Sequence, residues 1–465
     1  MIKYSVLKLL ISSIVASALL MSCNNAERKN AKANELADSA KTTFFAAESL
    51  NPDETAKKLT LYKKADSLLN LALAEDSTNA GALYFSGYVK DRLAAKALLG
   101  INFETANYTN AKTASKYLES LIKAHPDYMP EYKLSPQGKL TSIWGSLAFN
   151  YIIKNHADSA KLAFAEGRKH GAFTDGALEY CRNLLSQLDQ NGILFIQGDV
   201  ETFSCWSLQY IEGLRKDITI VNLSLIASPW YIKWLSYPQN IGAPIESPFD
   251  EDRIRYYFSP KSSEQTERNI SVDINSVSSQ IKNEFGNIPS KMPITLKGRA
   301  SGPNGGAIMT PSDFMLLEII ESSVGSRPIY FTISAAKNET PIVGLNEYLQ
   351  MQGICARLRL NKVKISESVA GELTFKTITS QFKYPALLKD ATWFDKGFLL
   401  LAETYKYAFI QTMTYYSKFN PDPSKVDELL KIYQTILPPA RLPLSKDDIE
   451  LFKAFRKFAS AKNIA

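Results

Sequence analysis

The chain has 465 residues, of which 45% are hydrophobic, 22% charged and 11% aromatic. That composition excludes collagen-like, low-complexity and disordered classes. Lys and Arg exceed Asp and Glu by 54 to 47, so the net charge of +7 is spread too thinly to mark a nucleic-acid surface. Four cysteines and three histidines are too few for a disulfide scaffold and leave little for metal chemistry.

The N-terminus carries an address. Lys3 and Lys8 make a basic start, and Leu9 to Leu20 is an uncharged apolar run. That run is shorter than the roughly 20 residues of a membrane-spanning helix but suits a signal-peptide core. It ends in Leu20-Met21-Ser22-Cys23, followed at once by polar Asn24-Asn25, which resembles the bacterial lipobox. Residues 1–22 are therefore expected to be a lipoprotein signal peptide and Cys23 the lipidated residue. Residues 23–35 form a polar tether. The expected address is the cell envelope, with acyl chains in the outer membrane and the protein facing the periplasm.

Residues 36–190 have the spacing of paired helices. Ala65, Leu69, Ala72, Leu83 and Gly87 place small residues where helices cross and large ones between them, and the pattern returns at Ala114, Leu118 and Leu121. Its fullest form is Trp144, Leu147, Ala148, Tyr151, Ala160, Phe164 and Gly167. These positions resemble the tetratricopeptide repeat, interrupted by an insertion near 98–110. Such arrays bind protein on a concave face, which here is expected to include Tyr84, Tyr88 and Lys90.

At Asn191 the pattern changes to α/β. Ile193 to Ile196 is a strand-length apolar run, Thr202 to Gly213 has helical periodicity, and Ile218 to Val221 is a second strand. Strand, helix and strand in about 30 residues imply a βαβ unit with a parallel pair. Thr310-Pro311-Ser312-Asp313 predicts a capped helix start, followed by a strand near Ile329 to Thr332; Ile294 to Leu296 suggests one more strand. The α/β module is expected over 191–380 and a C-terminal helical region over 381–465. The fold class expected is α+α/β, with a mostly parallel sheet between two helical regions.

The stretch ILFIQGDVETFSCWSLQYIEGLRKDITIVNLSLIASPWYI, residues 193–232, resembles the soluble C-terminal part of protein O-mannosyltransferase-like membrane proteins of the Bacteroidota. DFMLLEIIESSVGSRPIYF at 313–331 and YLQMQGICARL at 348–358 agree in the same order, and the resemblance extends over roughly 190–450. In that family a polytopic membrane domain precedes this region and carries the presumed sugar transfer. This chain has helical repeats and a lipobox in its place, so the resemblance does not carry glycosyl transfer across. It opens an accessory role in protein glycosylation, with a glycan as a further partner.

In open α/β sheets, ligands bind beyond the carboxyl ends of the strands at a topological switch point. Asp199, Glu201 and Thr202 stand past the first strand and Asn222 and Ser224 close its neighbour, which makes these five the candidate ligand-binding residues. Asp199 and Glu201 could bind a sugar hydroxyl or a divalent cation, or act as acid and base. The competing reading makes Asp199 the cap of the next helix, with Thr202 assisting and Phe203 and Trp206 in the core. Gly302 to Gly306 is Gly-rich but lacks the Gly-Lys-Ser/Thr of a phosphate cradle. His125, His156 and His170 fit no metal spacing. No catalytic residue, metal or cofactor is expected. Cys181, Cys205 and Cys355 are read either as one bridged pair with a spare or as buried thiols. The function expected is that of an anchored, non-catalytic protein-binding lipoprotein; the alternative is a glycan-binding or glycan-processing enzyme using Asp199 and Glu201.

Overall fold

The computed structural model describes residues 28–51, 53–94, 108–226, 228–238, 241–245, 252, 267–275, 277–285, 288–301 and 307–460. The signal segment with Cys23, most of the expected insertion and the Gly302 to Gly306 stretch lie outside them. The chain divides into two compact units, Met1–Asn150 with Lys169–Ala172, and Tyr151–Arg168 with Phe173–Ala465.

The first unit is helical: α1 (28–48), α2 (Thr55–Glu75), α3 (Ala80–Ala94), α4 (Tyr108–Ala124) and most of α5 (Pro136–Ile153). In α2 the buried residues Lys58, Tyr62, Ala65, Leu69 and Ala72 recur every three or four positions, giving one stripe along the helix. α3 packs against both α2 and α4. Gly87 sets the second approach: a Cβ there would stand 2.6 Å from the Leu118 side chain. Tyr84 and Tyr88 do not face a groove as expected. Both are buried, with ring centroids 5.1 Å apart and hydroxyls directed at the Leu134 carbonyl, because tyrosine rings fill this core. Lys90 is half-buried and ion-paired with Asp66 at 2.8 Å.

The second unit opens with α6 (Ala157–Lys169) and α7 (Asp175–Ser186). Its sheet has the order β2-β1-β7-β9-β8. β1 (Ile193–Ile196) pairs in parallel with β2 (Thr219–Asn222) and β7 (Ile329–Thr332), while β9 (Cys355–Leu358) and β8 (Leu349–Gln352) add an antiparallel edge. All four residues of β1, β2 and β7 are buried, which is why these strands read as continuous apolar runs. β3 (Glu267–Ser271) and β4 (Lys291–Thr295) form a separate antiparallel pair, as do β5 (Ala300–Ser301) and β6 (Ala307–Ile308). The strand expected near Ile294 therefore exists but does not join the main sheet. β4 alternates, burying Met292 and Ile294 only, as a strand with one wet face does.

Helices fill the remainder: α8 (Asp199–Ser207), α9 (Pro229–Leu235), α10 (Ser279–Phe285), α11 (Pro311–Ser323), α12 (Ile333–Asn338), α13 (Gly371–Lys376), α14 (Lys396–Lys418), α15 (Pro423–Ile436) and α16 (Lys446–Ser460). The expected start of α11 is present as a full capping box, with Thr310 and Asp313 each bonding the other's backbone and Pro311 at the first position. α8 runs on as a single π turn, Leu208–Glu212, which Gly213 ends at φ +67°. Among the described residues no helix is long and apolar enough to cross a membrane. The architecture is thus a helical first half, a mixed, mostly parallel sheet module, and C-terminal helices.

Candidate functional site

The strand order places β1 between β2 and β7, so the chain leaves β1 for one neighbour and returns on its other side. The switch point lies between the carboxyl ends of β1 and β7. The β1 end supplies Gln197 and the first turn of α8; the β7 end supplies Thr332, Ser334 and α12. The Gln197 amide donates to Glu339 at 3.1 Å across this gap.

The five residues singled out in the sequence fall in two directions. Glu201 is buried and accepts hydrogen bonds from the Tyr180 hydroxyl at 3.0 Å and the Ser334 hydroxyl at 3.2 Å, which draws it towards α7 and α12. Burial pushes its carboxyl up to about 7, against hydroxyl donors that pull it down. Thr202 and Asn222 lie on the β2 side: the Asn222 amide donates to the Thr202 hydroxyl at 2.8 Å, and that hydroxyl donates to the Gly198 carbonyl at 2.7 Å. The Asn222 carbonyl oxygen accepts from the Ser224 backbone at 2.8 Å, closing an Asx turn.

Asp199 is half-exposed and occupies the first position of α8 rather than the cap. Gly198 caps instead, at φ +89° and ψ 155°, a conformation that only glycine adopts without strain; the side-chain cap expected from Asp199 is not formed. Phe203 and Trp206 are buried as expected.

Glu201 is the best placed of the five. Ser334, its hydrogen-bond donor, forms part of the wall of a groove of about 460 Å³ between α12 and α14, with Asp448 and Leu451 of α16 along one side. Lys337 lies one helical turn beyond Ser334, and its ammonium sits 3.5 Å from the centre of the Tyr407 ring. Burial lowers the Lys337 pKa against the upward pull of Glu403. Tyr180, Ser334 and Lys337 escaped sequence reasoning. The three-residue spacing of Ser334 and Lys337 puts them on one helix face, but nothing in the sequence says which face meets a groove.

Other polar clusters hold the fold. Arg215 pairs with Asp217 at 2.8 Å and donates to the carbonyls of Leu185, Leu188 and Asp189. Glu212 takes Arg168 at 2.8 Å and also Arg182. Cys181, Cys205 and Cys355 are buried free thiols. Among the described residues no group of His, Cys, Asp and Glu is arranged to hold a metal ion.

Comparison with known proteins bears on the same region. Residues 177–287 and 266–373 match the family described as TMEM260-associated domain 2, which takes in most of α7, the whole main sheet and α12. A stretch of 54 residues is 33% identical to the mouse (Mus musculus) protein O-mannosyl-transferase TMEM260, covering 12% of this chain and 8% of that protein. The chain therefore matches less than a tenth of the length of this relative. No solved structure matches the chain.

Proposed function

We propose that this chain is a binding protein accessory to protein glycosylation, tethered to an envelope membrane through lipid on Cys23. On this reading it acts without catalysing sugar transfer: the helical first half holds a polypeptide partner, and the α/β module is the part shared with the glycosylation machinery. The observation that carries it is the match of 177–373 to the TMEM260-associated domain. The tether rests on Leu20-Met21-Ser22-Cys23 behind an uncharged run. Cross-linking in the native envelope followed by mass spectrometry tests the reading. Enrichment of a glycosyltransferase or of glycosylated proteins is expected; a partner set identical to that of an unrelated lipoprotein would overturn it. Cys23→Ala is expected to move the protein from the membrane to the soluble fraction.

A second reading is favoured by one observation, the near-neutral carboxyl of Glu201 at the switch point. There the module binds or processes a glycan with Glu201 as a working acid and Asp199 in support. Calorimetry with mannose and a mannosylated peptide tests it. Heat of binding that Glu201→Gln or Asp199→Ala abolishes would support it, and absence of binding by the unaltered chain would end it.

A further inference from the structure

The groove between α12 and α14 has a charge pattern that its structural neighbours leave incomplete. Four charged side chains line it: Lys337, Lys406, Glu403 and Asp448. Lys406 stands 2.7 Å from Glu403 and 3.4 Å from Asp448, so both carboxylates already share one cation. Among the described residues no carboxylate lies within ion-pairing distance of Lys337, whose close contact is the Tyr407 ring. Lys337 is an exposed residue whose ammonium, set over an aromatic face and partly desolvated there, has Glu403 as a charged neighbour already engaged by Lys406, so it gains when an anion arrives. One turn away the Ser334 hydroxyl adds a donor. Opposite, Leu400 is 74% exposed and Leu451 37% exposed, which gives the groove an apolar wall. Its volume of about 460 Å³ falls within the range of small-molecule sites.

We propose that this groove binds an oxyanion, carboxylate or phosphate, carried on a hydrocarbon skeleton, with Lys337 as counter-charge, Ser334 as hydrogen-bond donor, and Leu400 and Leu451 against the hydrocarbon. The inference uses the groove and Glu201 behind it, and stands apart from the accessory, protein-binding reading.

Glu201 ties the site to pH. It is faced by Tyr180 and Cys181 from α7 and by Thr332 and Ser334 from the β7–α12 junction, none of them charged at neutral pH. Lys337 is faced by Glu403 and Tyr407 from α14. When Glu201 is ionised, Ser334 spends its proton on the carboxylate. When Glu201 is protonated it donates to Ser334 instead, and the hydroxyl proton is freed for the ligand, with the Thr332 hydroxyl 2.9 Å away as the competing acceptor. Oxyanion binding is therefore expected to strengthen as pH falls through about 7.

Titration of the full chain with three probes of equal chain length tests this: octanoate, octyl phosphate and uncharged octyl glucoside. Octanoate, octyl phosphate or both should bind at least about tenfold more tightly than octyl glucoside, and whichever binds names the headgroup. Lys337→Met should weaken that probe about tenfold, and Lys337→Arg, which keeps the charge, should restore it to within roughly threefold. Leu400→Ser should weaken binding without abolishing the preference for the anion. In Glu201→Gln the pH dependence between 6 and 8 should disappear. Equal binding of all three probes, or anion binding that Lys337→Met leaves intact in a variant with unchanged circular dichroism, would overturn the assignment. A pH step that survives in Glu201→Gln would remove Ser334 from the donor role. None of these outcomes touches the cross-linking result.

Discussion

Each of the two compact units encloses a glutamate hydrogen-bonded to tyrosine, and the two are held in opposite charge states. In the first unit Glu48 accepts from Tyr62 at 2.5 Å and Tyr132 at 2.9 Å, and Arg92 closes on it at 2.9 and 3.2 Å. Burial pushes this carboxyl up, but the Arg92 hydrogen bonds and charge, with both tyrosines, outweigh it and bring the pKa down to about 2. In the second unit Glu201 has Tyr180, Ser334 and Thr332 but no arginine, and burial carries it up to about 7. Tyrosine donors alone do not keep a buried carboxylate charged; a cation does. One arrangement cements a core, and the other leaves a proton that responds near neutral pH.

The largest effect should come from making the first unit resemble the second. Arg92→Met leaves Glu48 among aromatic rings without its cation, the circumstance in which breaking a buried pair costs about 3 kcal/mol or more. Hydrogen exchange of the α1–α3 amides should accelerate accordingly. The sign of the pH dependence should change as well. In the unaltered chain Glu48 contributes stability that is present above the unfolded carboxyl pKa of 4.5 and is lost as pH falls towards 2. The variant should lose that acid-side limb; an unchanged acid unfolding profile would break the comparison.

The second effect runs the other way. The folded state holds the Glu201 proton between 4.5 and about 7 while the unfolded chain releases it, so stability falls as pH rises through that window. Glu201→Gln keeps a carbonyl for Tyr180 and an amide donor for Ser334 while removing the ionisation. It should stabilise the chain at pH 8 by roughly 2 kcal/mol and leave it little changed at pH 5. A shallower slope should remain, because Glu179 is also pushed up to about 7 by burial, against hydrogen bonds from the backbone of Ala386 and Leu387. Urea midpoints between pH 4.5 and 8 measure both slopes; destabilisation by Glu201→Gln at pH 8 would mean that the carboxylate is paired after all.

A third test probes backbone geometry that neither glutamate controls. Gly344 sits at φ +75°, and a Cβ there would collide with the Thr295 carbonyl at the end of β4. Backbone cannot yield as a side chain does, so Gly344→Ala should cost about 2 kcal/mol. Gly87→Ala first meets the Leu118 side chain, which can shift, and should cost less, about 1 kcal/mol. Thermal unfolding of the pair separates the two kinds of close approach.

What the sequence made legible follows from how local each feature is. The apolar runs of β1, β2 and β7 announce a buried parallel sheet, and Thr310 to Asp313 announces its helix, because strand burial and capping are written within a few residues. Glu201 is visible as a carboxylate past a strand. Its partners are not, since Tyr180 lies 21 residues before it and Ser334 133 residues after it. Asp199 misleads because aspartate favours caps, whereas the φ of +89° at Gly198 gives the cap to glycine. Tyr84 and Tyr88 mislead because a tyrosine's polar end suggests a wet face, but their hydroxyls find the Leu134 carbonyl inside the core. The Lys337 groove needs α12 and α14 together, and these helices are more than 50 residues apart in sequence.

The finest distinction concerns the tyrosines themselves. A hydrogen bond to an ionised acceptor contributes about 1.5–3 kcal/mol, and one to a neutral acceptor nearer 1 kcal/mol. Tyr62→Phe removes a donor from a charged Glu48 and should cost about 2 kcal/mol at pH 6. Tyr180→Phe removes one from Glu201, which is largely protonated at that pH, and should cost about 1 kcal/mol; its longer 3.0 Å bond, against 2.5 Å for Tyr62, points the same way. Raising the pH to 8 should widen the Tyr180→Phe loss, because Glu201 then carries charge and depends more on its donors, while the Tyr62→Phe loss should stay constant. The contrast lies in the pH dependence rather than in the absolute losses, so denaturant midpoints for both variants at pH 6 and 8 resolve it even if packing adds an equal penalty to each. Equal losses at both pH values would mean that the two carboxyls share one charge state, and the difference attributed to Arg92 would have to be given up.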